Sequence, residues 1–195
     1  MPLDLITGLP DQRAFERDLR TLGQQPGSGE WLLLHIDMAG FSEINREFGF
    51  EQADRVLRQV AQAMASSLAG HPLPDVAEAR IFRRRALGDE FDFLVRADLT
   101  AVLALADRLR QTFDVLSREV STLLGAPVRL SFRGSIAPLR PEDGMTHLDA
   151  ALSEVAALHL TNAGPASTAP LFPIACHPCL DSQSVAWPSE LSRVP

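Results

Sequence analysis

The sequence predicts an α+β fold in which helices pack on a central, mainly antiparallel sheet. Segments with helical and strand periodicity follow one another in the order helix, strand, helix, helix, hairpin, helix, strand, helix. The hairpin in the middle of this order favours antiparallel pairing over a fully parallel sheet. The 195 residues, of which 46% are hydrophobic, are enough for one domain with a sizeable core.

The first elements are a turn, a helix and a strand. Residues 4–10 form a compact turn, and Asp11 can cap a helix that ends at the loop 23–29. The continuous apolar run 31–36, which ends in Asp37, is typical of a central strand that is buried on both faces.

Two helices follow a short link at residues 38–40. The segment 41–48 predicts a short helix that Gly49 closes. Apolar residues spaced at i, i+3, i+4 and i+7 predict a longer helix over residues 51–69.

A hairpin occupies the middle of the chain, with strands at 80–86 and 90–96. Gly88 and Asp89 form its tip, because Gly-Asp is a short-turn dipeptide. Two interpretations of the arginines in the run 80–85 are open: contacts to phosphates, or the solvated side of a strand or an edge device. The second interpretation is favoured for all of them except Arg85.

The last elements are a helix, a strand and a further helix. Thr100 can cap a long helix that runs through Leu124, and alternating apolar residues predict a strand over 128–137. A capping-box pattern that begins at Thr146 predicts a helix that ends near residue 160.

The chain is predicted as one domain over residues 1–160, followed by a tail over 161–195 that is rich in Pro, Ser and Ala. One edge strand is expected near residues 170–175. Cys176 and Cys179 have the spacing of a redox pair, but no helix follows them to lower a thiol pKa. They also supply too few ligands for a structural zinc site, so the pattern favours neither role.

Charge and composition argue against some classes of function. The formal net charge is −7 and all 18 basic residues are arginines. This balance is unfavourable for general nucleic-acid binding, which depends on cationic contacts to phosphates. The chain has no apolar run long enough to span a membrane and no secretory signal at its start. We therefore expect a soluble, cytoplasmic protein with no nucleic-acid or membrane partner.

Carboxylates stand at the ends of two predicted strands. Asp37 ends the first strand, and Asp89 at the hairpin tip can approach it if these strands pair antiparallel. Two converging carboxylates suit Mg²⁺, and two such ions can activate a hydroxyl and stabilise a leaving pyrophosphate. The alternative interpretation is that both are acids of a polar surface. His35, inside the apolar strand, is interpreted as a core residue with a polar partner rather than as a ligand.

Four ordered motifs, at residues 4–15, 37–45, 48–57 and 85–91, read DLITGLPDQRAF, DMAGFSEIN, FGFEQADRVL and RALGDEF. They resemble the motifs DxLTGLPNRRxF, DxDxFKxxN, YGHxxGDxxL and RxGGDEF of the GGDEF domain. That domain is the catalytic module of diguanylate cyclases, which condense two GTP into cyclic di-GMP. Order and spacing match over residues 4–160, and the resemblance implies a palm-like (ferredoxin-like) nucleotide-cyclase fold.

The resemblance also implies site residues. Asp37, the backbone carbonyl of Met38, Asp89 and Glu90 correspond to ligands of Mg²⁺, and Glu90 also to the residue that activates the 3′-hydroxyl. These assignments rest on the alignment of the motifs alone.

The nucleotide itself is assigned to a second set of residues. Asn45 and Asp54 correspond to the pair that hydrogen-bonds guanine, whose edge offers both donors and acceptors. Arg85 corresponds to an arginine near the phosphates. Gly88 is the remaining glycine of the signature and is expected to contact the substrate.

The chain also departs from the family's motifs. Leu87 replaces the first signature glycine, Ser42 and Ala156 replace two phosphate-binding lysines, and Ala39 replaces the second acid of DxD. Residues 78–81 do not match the family's inhibitory product site, so feedback inhibition at that site is not predicted.

Three functions stay open. The first is a degenerate GGDEF domain that binds GTP with Mg²⁺, or a signalling partner protein, with little or no cyclase activity. The second is an active diguanylate cyclase that acts across a transient homodimer. The third is a structural interaction module without nucleotide. The retained acids favour the first two, and the missing glycine and lysines favour the first over the second.

Overall fold

The computed structural model describes residues 1–22, 31–70, 75–83, 88–139 and 174–176. The described helices are α1 (Gln12–Leu22), α2 (Phe41–Phe48), α3 (Phe50–Gly70) and α4 (Leu99–Leu124). The described strands are β1 (Trp31–Ala39), β2 (Glu78–Phe82), β3 (Glu90–Arg96), β4 (Ser131–Leu139) and β5 (Ile174–Cys176). The loop 23–29, the helix predicted to end near residue 160 and most of the tail lie outside the described residues.

The strands form one sheet in the order β2-β3-β1-β4-β5. The first four strands pair antiparallel with their neighbours, and β5 pairs parallel with β4. With its four described helices, this mixed architecture confirms the predicted α+β fold and its mainly antiparallel sheet. The edge strand expected near residues 170–175 stays a prediction for residues 170–173, which lie outside the described residues, and β5 begins at Ile174.

Strand β1 lies at the centre of the sheet and is buried on both faces, as its continuous apolar sequence predicts. One face packs with the apolar stripes of α3 and α4. The side chains on this face are those of Leu32, Leu34, Ile36 and Met38. On the other face Leu33 packs in a cluster with α1, whose Phe15 contacts Phe82 at a ring-centroid distance of 5.3 Å.

The start of α4 differs from the prediction. The helix begins at Leu99, and the Oδ1 atom of Asp98 accepts a hydrogen bond from the backbone N–H of Ala101 at 2.8 Å. Asp98 is therefore the cap and Thr100 already lies in the helix, so the predicted cap is wrong by two residues. Both residue types are good caps, and sequence alone does not choose between them.

The start of β4 also differs, because side chains of α4 take the backbone donors of the preceding segment. The N–H of Val128 donates to Ser121 Oγ at 2.8 Å, and the N–H of Leu130 donates to Ser117 Oγ at 2.9 Å. These donors are not available to a neighbouring strand, so β4 begins at Ser131 and not at residue 128.

Two further boundaries move near the signature segment. β2 ends at Phe82, because the N–H of Arg83 donates to the carbonyl of Pro10 at 2.9 Å. β3 begins at Glu90 as predicted, and residues 84–87 between the two strands lie outside the described residues. β1 continues to Ala39, where it still pairs with β4, so most of the predicted link belongs to the strand.

None of the described helices is long and apolar enough to cross a membrane.

Candidate functional site

One end of the sheet brings three acids together. Asp37 on β1 lies opposite Glu90 on β3 in the antiparallel register. The neighbouring Met38 donates its backbone N–H to the carbonyl of Asp89 at 3.2 Å, which draws the signature segment onto β1. The structure therefore places all four of these residues at the same end of the sheet, whereas their role as metal ligands stays a prediction.

The charges at this end are crowded. Partial burial raises the pKa of Asp89 above its ordinary value, and the negative charge of Asp37 raises it further. A backbone hydrogen bond to Asp89 lowers its pKa, Glu90 raises it and Arg133 lowers it, but the sum remains upward. A cation placed among these carboxylates relieves their repulsion.

A guanidinium already contacts this group of acids. Arg133 on β4 lies opposite Asp37 in the register, and its Nε donates to Asp37 Oδ2 at 3.0 Å. Its Nη2 forms a second, shorter contact with the same oxygen. The side chain of Arg133 is 51% exposed and that of Asp37 is 24% exposed. The sequence predicted no role for Arg133, and the alternation of a strand indicated only that it shares one face with residues 131 and 135.

The described residues do not form an assembled metal site. Among them, no group of three or more His, Cys, Asp or Glu side chains is placed to hold a metal ion. Mg²⁺ takes anionic oxygens in a strict geometry, and the carboxylate of Asp37 is neutralised by Arg133. The acids are present, but their arrangement does not fit Mg²⁺ while this ion pair is in place.

A buried arginine connects the opening turn to the signature segment. Arg83 Nη1 donates to Asp4 Oδ1 at 3.1 Å, and its Nη2 donates to the carbonyl of Gly88 at 2.7 Å. Asp4 also accepts hydrogen bonds from the N–H and the hydroxyl of Thr7 at 2.8 and 2.7 Å. The side chains of Arg83 and Asp4 are only 1% and 5% exposed.

The interpretation of the strand arginines as solvated is therefore wrong for Arg83. A buried guanidinium requires an acceptor, and the turn at residues 4–10 provides one. Because it is buried against Asp4 and Gly88, Arg83 is not available to replace a missing phosphate-binding lysine. Arg85 and Leu87 lie outside the described residues, so their assigned roles stay predictions.

Asn45 and Asp54 lie on α2 and α3, on either side of Gly49. The backbone carbonyl of Asn45 accepts a hydrogen bond from the N–H of Gly49 at 3.0 Å. Gly49 has φ 80°, a left-handed value that favours glycine and turns the chain from α2 into α3. The side chains of Asn45 and Asp54 are half-buried, and neither hydrogen-bonds another described residue. No hydrogen bond joins these two side chains.

At the position of the family's first phosphate-binding lysine, the chain offers a hydroxyl that is already in use. Ser42 Oγ donates to Glu43 Oε2 at 3.0 Å. A hydrogen bond from the backbone lowers the pKa of Glu43 and the bond from Ser42 lowers it further, so this carboxylate is charged at neutral pH. Position 42 therefore carries a neutral hydroxyl that is bonded to a neighbouring anion, in place of a cation.

A polar pair lies on the same face of the sheet as the acids, two residues further along β1 and β3 from this end of the sheet. His35 Nδ1 and Asp92 Oδ1 are 2.8 Å apart, and the residues face each other across β1 and β3. Asp92 is buried with 1% of its side chain exposed. His35 thus has the polar partner that was expected for it, whereas Asp92 gave no signal in the sequence beyond its place in an alternating run.

The chain matches a known protein family over most of its length. The family described as "Diguanylate cyclase, GGDEF domain" matches residues 2–158. Cyclic di-GMP phosphodiesterase PdeB of Shewanella oneidensis is 38% identical over 117 residues, which are 60% of this chain and 12% of that protein. The chain spans between 12% and 37% of the length of the curated relatives that it matches.

Solved structures show the same fold. Diguanylate cyclase SiaD of Pseudomonas aeruginosa, in complex with its activator SiaC, superposes with a TM-score of 0.66 at 22% identity. This similarity covers 83% of this chain and 58% of the SiaD chain. The GGDEF domain of TpbB (YfiN) from Pseudomonas aeruginosa gives a TM-score of 0.61 at 23% identity, over 93% of this chain and 98% of that one.

Proposed function

The chain belongs to the diguanylate cyclase GGDEF-domain family, and we propose that it binds a guanine nucleotide but has little or no cyclase activity. Membership of this family supports a role in cyclic di-GMP signalling. The proposal rests on one observation at the end of the sheet. The acids of the family are retained there, but Asp37 is ion-paired with Arg133.

Nucleotide binding is supported by the two residues predicted to bind guanine, because their side chains have polar groups that no other described residue hydrogen-bonds. Asn45 offers an amide and a carbonyl group, and Asp54 offers a carboxylate that accepts from purine N–H donors. Neither side chain is engaged by another described residue, so a base does not have to displace an existing hydrogen bond.

Weak catalysis is supported by the charges that would face the phosphates. GGDEF domains are generally Mg-dependent, but Asp37 is ion-paired in this chain. Ser42 stands where the family has a lysine, and Arg83 is buried against Asp4. Each missing charge-assisted contact costs about 1.5–3 kcal/mol. The loss of both phosphate-binding lysines, at positions 42 and 156, is therefore enough to remove useful turnover.

Two measurements test the proposal separately. Incubation of the protein with GTP and Mg²⁺, followed by chromatography, is expected to give no cyclic di-GMP. If product appears and is lost in Glu90→Ala, the proposed inactivity is wrong and the chain is an active cyclase.

Calorimetry with GTP is expected to show weak binding that Asp54→Ala reduces about tenfold or more, the effect of one charge-assisted hydrogen bond. Glu119→Ala, which removes the same charge from an exposed position of α4, is the matched control. Equal heats for the wild type and Asp54→Ala would remove the support for guanine recognition and favour an interaction module without nucleotide.

An active cyclase is the second candidate, because Asp37, Asp89 and Glu90 are all retained at one end of the sheet. Such an enzyme would need two GTP-bound copies of the chain facing each other. A gain of product in the double variant Leu87→Gly, Ser42→Lys would support the view that these departures suppress a latent activity.

A protein partner is the remaining possibility within cyclic di-GMP signalling. SiaD is known in complex with an activator protein, and we propose that this chain also acts through a signalling partner or a second copy of itself.

A further inference from the structure

Arg133 occupies the position at which a cation would meet Asp37. Two nitrogens of its guanidinium contact the same carboxylate oxygen, Oδ2. The pair is formed by the antiparallel register of β1 and β4, which places the two residues directly opposite each other. Because β1 is central, Asp37 also has Glu90 opposite on its other side. One cation and two acids therefore lie side by side across three neighbouring strands, in the order Arg133, Asp37 and Glu90.

The ion pair between Arg133 and Asp37 is partly exposed to solvent, so other ions can reach its two side chains. The side chain of Arg133 is half-exposed, in contrast to that of Arg83, which is fully buried. Exposed ion pairs contribute little to stability, so the guanidinium can leave the carboxylate at low cost. The pair is thus placed to respond to other ions.

A metal ion and the guanidinium of Arg133 cannot both contact the carboxylate of Asp37 without repelling each other. A divalent cation on Oδ2 would have to displace Arg133, and one on the other oxygen would stand within a few ångströms of a positive charge. Like charges at such a distance repel strongly where solvent screening is incomplete.

We propose that Arg133 is an internal competitor for the cation site at Asp37, so that the ion pair and a bound divalent metal exclude each other. The inference deepens the proposed function, because it names what controls metal occupancy in the same site. Arg133 acts through Asp37 and is a positioning residue. A purely structural ion pair would influence stability and leave metal affinity unchanged.

The test is a Mn²⁺ titration of the full chain without nucleotide, followed by the EPR signal of free Mn²⁺. Arg133→Ser is expected to tighten binding at least about fivefold relative to the wild type, because a cation is removed from direct contact with a ligand. Arg129→Ser is the matched control, since it removes the same charge from an exposed residue four positions earlier. Arg133→Gln, which keeps the length of the side chain, provides a second neutral variant if Arg133→Ser does not fold.

A double variant shows whether the gain involves Asp37. Arg133→Ser combined with Asp37→Asn is expected to lose the gained affinity. Mn²⁺ affinity in the neutral variants within twofold of the Arg129→Ser control would overturn the proposal. A gain that persists in the double variant would overturn it as well, because the metal would then bind elsewhere.

The outcome is separable from that of the proposed function. The titration contains no nucleotide, so failure of GTP binding in calorimetry leaves its result unaffected. Conversely, unchanged Mn²⁺ affinity would not alter the expected effect of Asp54→Ala on GTP.

Discussion

Two arginine–aspartate pairs lie beside the signature segment, and they differ in burial. Arg83 and Asp4 are almost completely buried and are tied to the carbonyl of Gly88 and to Thr7. Arg133 and Asp37 are partly exposed and stand at the open end of the sheet.

The difference in burial separates their roles. A buried charge has no alternative partner, so its pair must persist in the folded protein. An exposed charge can exchange its partner for water or another ion. The first pair therefore holds the signature segment in place, and the second is available for regulation of the site.

The largest expected effect is from breaking the buried pair. Asp4→Ala leaves the guanidinium of Arg83 without its carboxylate in the interior and is expected to destabilise the fold by about 3–5 kcal/mol. Urea unfolding followed by circular dichroism measures the change. Glu51→Ala is the control, because it breaks the exposed pair with Arg55 and should cost less than about 0.5 kcal/mol. Equal costs for the two variants would contradict the assignment of Arg83 as a structural residue.

A much smaller effect on stability is expected at the exposed pair. Arg133→Ser should change the free energy of unfolding by no more than about 1 kcal/mol, since solvent screens the ion pair. The same urea measurement applies, with Arg129→Ser as the reference. A loss as large as that of Asp4→Ala would mean that both pairs are structural and that burial does not separate them.

The smallest effect is expected at Asp89 and depends on pH. Its pKa is raised in the folded protein by burial and by repulsion from Asp37, so the folded state keeps this proton to higher pH than the unfolded chain does. Stability therefore falls as the pH rises from the ordinary aspartate pKa through the folded value. Asp89→Asn should be more stable than the wild type at neutral pH, and this gain should disappear below the ordinary aspartate pKa.

Thermal unfolding in EDTA over a pH series checks this expectation without interference from metal ions. Asp114→Asn, at an exposed position of α4, is the control. A gain in stability that is constant with pH would show that it does not arise from the ionisation of Asp89.

Most of the fold was predictable because its signals are local. The apolar run of β1, the 3.6-residue periodicity of α3 and α4 and the alternation in β3 each depend on neighbours within one element. The cap of α4 was a choice between two local candidates, but two strand boundaries were wrong because a donor or acceptor came from another element. β4 begins late because Ser117 and Ser121 of α4 take the preceding N–H groups, and β2 ends early because Pro10 takes the N–H of Arg83.

The candidate site was predictable only as a set of residue types. The motifs identified the acids, and the order of strands allowed Asp37 and Asp89 to converge. They did not indicate that a cation contacts one of these acids, because Arg133 is 96 residues away from Asp37 in sequence. Such a partner is defined only by the register of β1 with β4.

The sequence by itself thus determined the family, the fold class and the acids at the end of the central strand. Local periodicity and motif spacing are sufficient for these, since each is encoded within short segments. Only the tertiary structure decided which arginine is buried and which is exchangeable. Arg83 and Arg133 carry the same side chain, and their roles differ because packing and strand register gave one of them a buried carboxylate and the other a partly exposed one.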